Sequence, residues 1–297
     1  MSIEVKNISK RYGSQLALDN VSFSIKEGEI VGFLGPNGAG KSTMMKILTG
    51  YIQASEGEVF VNDLNLHISK NEAQKNIGYL PEHNPLYLDM YVKEYLLFNA
   101  RIHKIPKSNI EKIIDKVGLT NESHKKISQL SKGYRQRVGL AASLLHNPNV
   151  VILDEPTTGL DPNQLLEIRN LIKEIGKEKT VLFSTHIMQE VEAVCDRVII
   201  INKGKIIADE LLKDLKENQE QLIEVEFDFK IEKQFIEKIP NLKIANNSYD
   251  TTWELTFSTK VDMRSAVFDF AKDNGLKTLK LNAKNKNLES LFRELTT

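Results

Sequence analysis

Apolar positions change period repeatedly along this chain, and each change predicts an element. Ile3/Val5 and Val21/Phe23/Ile25 alternate with polar neighbours, the two-residue period of half-buried antiparallel strands. Ile30-Val31-Gly32-Phe33-Leu34 is instead a short continuous apolar run, and Thr43 to Thr49 can follow it as a helix. Gly57 to Val61 reads as a further strand, and Ile77 to Leu80 as one that ends in a loop marked by Pro81-Glu82. From Met90 to Val117 the spacing turns helical, as in Val92/Leu96 and Ile110/Ile113/Ile114/Val117. A helical unit over about 90–145 is therefore expected inside an α/β core.

Val150-Val151-Ile152-Leu153 is again continuously apolar and delivers Asp154 and Glu155 at its end, the pattern of a buried parallel strand. Asp161-Pro162 is a helix start, with a capping carboxylate before proline, and Leu165, Ile168, Leu171, Ile172 and Ile175 continue its apolar face. Thr180 to Thr185 is a strand that presents His186 at its C-terminal end. Val198 to Ile201 and Lys205 to Ile207 form a hairpin around Asn202-Lys203-Gly204.

A domain boundary is expected next, with residues 2–210 as the first domain, 211–221 as a charged linker and 222–297 as a small second domain. Ile223/Val225/Phe227/Phe229 and Trp253/Leu255/Phe257 alternate, whereas Val267/Phe268/Ala271 and Leu288/Leu291/Phe292/Leu295 repeat at helical spacing. The order β-α-β-β-α-β-α suggests a ferredoxin-like α+β fold. Its aromatics read as core.

The chemistry concentrates upstream. Gly35-Pro36-Asn37-Gly38-Ala39-Gly40-Lys41-Ser42-Thr43 fits the Gly-x-x-x-x-Gly-Lys-Ser/Thr phosphate loop, between a strand and a helix as that motif requires. Glycines let the backbone wrap a phosphate with its N–H groups inward, Lys41 adds a charge for the β- and γ-phosphates, and Ser42 offers a hydroxyl to Mg²⁺. Asp154 and Glu155 diverge along their strand, so Asp154 is placed to face Mg²⁺ and Glu155 to polarise an attacking water. Three residues stay open on their own. Tyr12 either packs or stacks on a base, Ser131 either caps a helix or binds an anion there, and His186 is either structural or bonded to a γ-phosphate.

Composition narrows the setting. Forty basic and forty acidic residues give a net charge of zero, so no overall field draws the chain onto nucleic acid or anionic lipid, and no nucleic-acid partner is expected. The one cysteine, Cys195, cannot form an intrachain disulfide. No signal-peptide order opens the sequence and no apolar run reaches the length of a membrane span, so a cytosolic setting is expected.

Taken together, GPNGAGKST, LSKGYRQ, VVILDEP, TGLD and STH, in this order, resemble the ATP-binding cassette of ABC transporters over residues 2–210. The resemblance implies a P-loop NTPase with a RecA-like core, an antiparallel β subdomain and an inserted helical subdomain, binding ATP and Mg²⁺. It implies that Tyr12 stacks on adenine, Glu155 is the catalytic base, Asp161 lies at a dimer contact and His186 senses the γ-phosphate. Ser131 and Gly133 would contact ATP held by a second copy, in a head-to-tail homodimer. Glu82 stands where most cassettes have a glutamine that meets Mg²⁺ and the membrane partner, and a carboxylate still accepts a metal-water hydrogen bond. Lys132 and Tyr134 also depart from the commonest signature. The chain looks most like single-cassette subunits of the ABC-2 type, and among them like the gliding-motility-associated ones. That likeness implies an integral membrane permease as partner and a place on the cytoplasmic face of the cell membrane. A soluble ABC ATPase working on ribosomes or DNA is the rival reading, but the chain has neither a second cassette nor a long coiled coil. A P-loop GTPase would need Asn-Lys-x-Asp, and Asn202-Lys203-Gly204-Lys205 ends in lysine.

Overall fold

The computed structural model describes residues 1–217, 221–259, 261–285 and 292, and the chain divides into two compact units at Leu212/Lys213. The first begins with the long antiparallel strands β1 (Ile3–Tyr12) and β2 (Gln15–Ile25), followed by β3 (Ile30–Leu34), the phosphate loop and α1 (Lys41–Leu48). Next come β4 (Glu56–Val61), β5 (Leu64–Asn65), α2 (Lys70–Lys75) and β6 (Ile77–Leu80). Helices α3 (Val92–Ile102), α4 (Ser108–Lys116) and α5 (Lys132–Leu144) form the inserted helical part. The chain then alternates through β7 (Val150–Asp154), α6 (Pro162–Gly176), β8 (Thr180–Thr185), α7 (Met188–Val194), β9 (Arg197–Asn202) and β10 (Lys205–Leu211), and α8 (Leu212–Glu217) starts at the division.

Two sheets organise this unit. One is antiparallel, in the order β2-β1-β4-β5, and the other runs β10-β9-β3-β8-β7-β6, parallel except for the β9/β10 hairpin. Every residue of β3, β7 and β8 is buried, which is why β3 and β7 read as continuous apolar runs instead of alternating, while β8 places Val181, Leu182 and Phe183 between buried hydroxyl residues. One core lies between the two sheets around α1, with Phe23, Phe33, Met44 and Met45 among its members. A second packs the inserted helices and α6 against the parallel sheet through Leu96, Ile114, Leu140 and Ile172.

The register sets the site. Leu34 pairs with Thr185, and Asp154 pairs with Ser184, so β3, β7 and β8 end side by side. Open α/β sheets bind ligands at the carboxyl ends of such strands.

The second unit contains β11 (Gln221–Phe227), α9 (Lys233–Ile236), β12 (Leu242–Tyr249), β13 (Thr252–Phe257), α10 (Arg264–Asp273) and β14 (Thr278–Asn285). Its antiparallel order β12-β13-β11-β14 is the split βαβ arrangement of a ferredoxin-like fold. Ile223, Val225 and Phe227 meet Trp253, Leu255 and Phe257 in a core of their own. The helix read from Leu288 to Leu295 lies outside the described residues but for Phe292. Within the stretch 211–221, β10 ends at Leu211, α8 spans Leu212–Glu217 and β11 begins at Gln221.

Candidate functional site: a nucleotide cleft and a separate helix-start cluster

Between β3 and α1 the backbone turns through Gly40, whose φ is 110° and whose missing Cβ would fall 2.8 Å from the Ala17 carbonyl oxygen. Any side chain there would collide with β2 in a conformation already costly for L-residues. Lys41 opens α1, and its side chain folds back over the loop. Its Nζ donates to the carbonyls of Gly35 at 2.8 Å and Pro36 at 3.2 Å, and lies 3.4 Å from Glu155 Oε1. A buried ammonium is thereby neutralised and oriented.

The β7 carboxylates do diverge. Asp154 Oδ1 accepts from Ser184 Oγ at 2.5 Å and from Ser42 Oγ at 3.2 Å. Burial raises the Asp154 carboxyl above the ordinary range, the bonds from Ser184 and Ser42 oppose this, and the charges of Glu82 and Glu155 add to it. Glu155 turns away with φ 48°, a left-handed backbone that few non-glycine residues adopt, and its N–H donates to Ser184 Oγ at 3.0 Å. Its Oε2 accepts from Thr158 Oγ1 at 3.1 Å and stands 2.9 Å from His186 Nδ1. Phosphate-loop lysine, strand-end glutamate and histidine thus form one connected group.

These residues open on a cleft of about 740 Å³ lined by Tyr12, Lys41, Ser42, Glu82, Glu155 and His186, together with Asn37, Gly38, Gly40 and Thr43. Gly35, Pro36 and Ala39 shape the loop without lining it. Gly35 and Pro36 hold Lys41, and the buried Ala39 accepts Gly204 N–H through its carbonyl at 2.9 Å. Tyr12 is half exposed at the cleft, with Lys10 Nζ 5.3 Å from its ring centre. Glu82, Ser42 and Asp154 also border a neighbouring cavity of about 550 Å³.

Ser131 and Gly133 are elsewhere. Ser131 caps α5, its Oγ accepting from Tyr134 N–H at 3.4 Å, and Gln164 Nε2 donates to the same oxygen at 3.4 Å. Gly133 lies buried against the Gln164 side chain, which a Cβ would meet at 2.7 Å. Asp161 caps α6 by accepting from Gln164 N–H at 2.9 Å. Gln164 therefore ties Ser131, Gly133 and Asp161 into one cluster at two helix starts, and none of them lines the cleft.

Several site residues carried no motif signal. Gln15, Leu16 and Ala17 of β2 and Lys203-Gly204 of the β9/β10 turn line the cleft's outer wall, although the turn itself was legible. Ser184 and Thr158 sit inside recognised motifs, and only register shows what they touch. Gln164 had no signal.

A phosphate loop, a buried Asp-Glu strand end and a histidine on the adjacent strand define a P-loop nucleoside triphosphatase. The family model described as ABC transporter matches residues 18–158. Over 296 residues the chain is 33% identical to the bacitracin transport ATP-binding protein BcrA of Bacillus licheniformis, covering 99% of this chain and 96% of that protein. It is 32% identical over 311 residues to the linearmycin resistance ATP-binding protein LnrL of Bacillus subtilis (strain 168), covering 99% and 98%. The dimeric structure of MJ0796, a bacterial ABC transporter cassette, matches with a TM-score of 0.65 and 30% identity over 71% of this chain and 98% of that one. The chain belongs to the ATP-binding proteins of ABC transporters, and it is an ATPase.

Proposed function

We propose that two copies of this chain close head to tail around ATP and drive an ABC-2 type membrane permease. Each nucleotide would lie between the cleft of one copy and the Ser131–Gly133 segment of the other. The observation that carries this reading is the separation of the two clusters. Ser131 and the α5 start lie outside the cleft of their own chain, and this helix end would bind the phosphates of ATP held by the other copy. In the cleft, Lys41 and the loop N–H groups hold the phosphates, Tyr12 stacks on the base and Glu155 takes a proton from water. A neutral His186 that donates through Nδ1 to Glu155 presents an acceptor at Nε2, so only the doubly protonated ring donates to Glu155 and to a phosphate at once.

Ser42, Asp154 and Glu82 would hold Mg²⁺. A hydroxyl and carboxylates are the hard oxygen donors this ion prefers, and among the described residues no three His, Cys, Asp or Glu gather into a site of their own. Phosphate oxygens and water would supply its remaining ligands. Bound there, the ion would neutralise charge on the β- and γ-phosphates.

The permease would dock on the cavity shared by Glu82, Tyr51, Tyr79 and Pro81, so that Glu82 borders both nucleotide and partner. The cytoplasmic face of the membrane follows as the location. Among the described residues no helix is long and apolar enough to cross a bilayer. The resemblance to gliding-motility subunits favours a motility-linked cargo. The relatives matched over both units are named for bacitracin transport and linearmycin resistance, which favours export of a membrane-active antibiotic as the second reading. A deletion strain separates the two, by loss of gliding or by loss of resistance.

Glu155→Gln should slow ATP turnover about 10²- to 10⁴-fold while ATP still binds, because an amide cannot accept the proton. Single-turnover hydrolysis within about threefold of wild type would remove Glu155 from the base role.

A further inference from the structure

The turn that carries His186 is held by a buried carboxylate outside the cleft. Glu190, in the first turn of α7, is 1% exposed. Its Oε2 accepts from Thr185 Oγ1 at 2.8 Å, and the same threonine oxygen accepts from Ile187 N–H at 3.1 Å. Thr185 and Ile187 are the chain neighbours of His186, so Glu190 closes a hydrogen-bonded ring around that residue. The Thr185 carbonyl in turn accepts from Gly35 N–H at 3.3 Å, which joins the ring to the first residue of the phosphate loop.

His186 needs such support. Its side chain is 43% exposed and meets Glu155 Oε2 at 2.9 Å, so little packing fixes the ring and its placement follows from the backbone beneath it. Glu190 is also an expensive residue in this position. Its Oε1 is buried without a hydrogen-bond partner, and a half-satisfied buried carboxylate costs stability that an apolar side chain would not.

We infer that Glu190 is a positioning residue for ATP hydrolysis: through the Thr185 hydroxyl it fixes the backbone of His186, and with it the imidazole against Glu155. The inference rests on the role proposed above for His186. Its experiment separates the two.

Thr185→Val removes the hydroxyl at almost constant shape, and Glu190→Leu removes the carboxylate. Each should lower kcat about tenfold while leaving KM for ATP within about twofold. Thr185→Ser and Glu190→Gln keep a hydroxyl donor and an acceptor oxygen and should recover most of that loss. The same changes are then placed in a His186→Ala background, where a residue that acts only through His186 has little left to do. The further loss there should be under about twofold. Another tenfold loss in that background, from protein that unfolds cooperatively and binds ATP, overturns the inference and leaves the role of His186 intact. Wild-type kcat in both Thr185→Val and Glu190→Leu overturns it as well. Wild-type turnover in His186→Ala alone overturns both that role and the inference. Should Glu190→Leu fail to fold, Thr185→Val carries the comparison without removing a charge.

Discussion

The cleft and the helix-start cluster are built on opposite principles. Lys41, Asp154 and Glu155 are 6%, 2% and 6% exposed. Lys41 opens the helix after β3, the two carboxylates stand at the end of β7, Lys41 pairs with Glu155, and Ser184 bonds both Asp154 and the Glu155 N–H. Ser131 and Lys132 are exposed, and Ser131 is held by two bonds of 3.4 Å at the start of α5. A sheet edge fixes buried charges before a ligand arrives, and such fixed dipoles need no reorganisation during reaction. A helix start instead offers free N–H groups to whatever anion approaches. On the proposed reading the first cluster does the chemistry and the second recognises ATP already held by another copy.

Substitutions on the two sides should fail differently. Lys41→Ala is expected to weaken ATP binding to the isolated chain about ten- to a hundredfold, because a charged hydrogen bond to phosphate is lost. Ser131→Arg should leave that affinity within about twofold and prevent closure of two copies. Calorimetry on each variant checks this, and equal losses on both sides would erase the distinction between clusters.

Asp154 gives a smaller and pH-dependent effect. A carboxyl raised by folding holds its proton more tightly in the folded state, so its contribution to stability falls as pH climbs from the ordinary carboxylate value through the folded one. Asp154→Asn should then melt about a few degrees above wild type near neutral pH, without added nucleotide or magnesium. Below pH about 4 the difference should close, since the wild-type carboxyl is protonated in both states. A gap that widens on acidification would contradict the buried-charge account of the cleft.

The smallest effect concerns the second unit. A chain ended near Leu215 should retain ATP binding and cooperative unfolding, because the cleft residues and the Ser131 cluster all precede Leu212 and the two units have separate cores. Loss of either property in the fragment would mean that the cleft depends on the distal unit.

Much of this was legible because it is local. The phosphate loop, the Asp161-Pro162 helix start and the apolar runs of β3 and β7 are set by neighbours in sequence. Short elements were not legible: β5 and α2 bury little, with Ala73 the buried residue of α2. The links inside the site were hidden for a different reason. Ser184 meets Asp154 because β7 and β8 pair in one register, Gln164 reaches Ser131 across two helix starts, and Glu155 reaches Lys41 from another strand. Motifs give the parts, and register decides which parts touch.

The composite site is tested most directly by complementation. Lys41→Ala damages the cleft and Ser131→Arg damages the facing cluster, so a mixed dimer gathers both lesions in one site and leaves the other whole. Both variants are prepared in a Glu155→Gln background, mixed with labelled ATP, with the permease added if the chains do not pair alone, and nucleotide retained per dimer is counted. Random pairing makes about half of the dimers mixed. The account predicts that two preparations unable to trap nucleotide alone will trap it when mixed, at one site per mixed dimer. Retention no higher than in the unmixed variants, with mixed dimers confirmed, would contradict it.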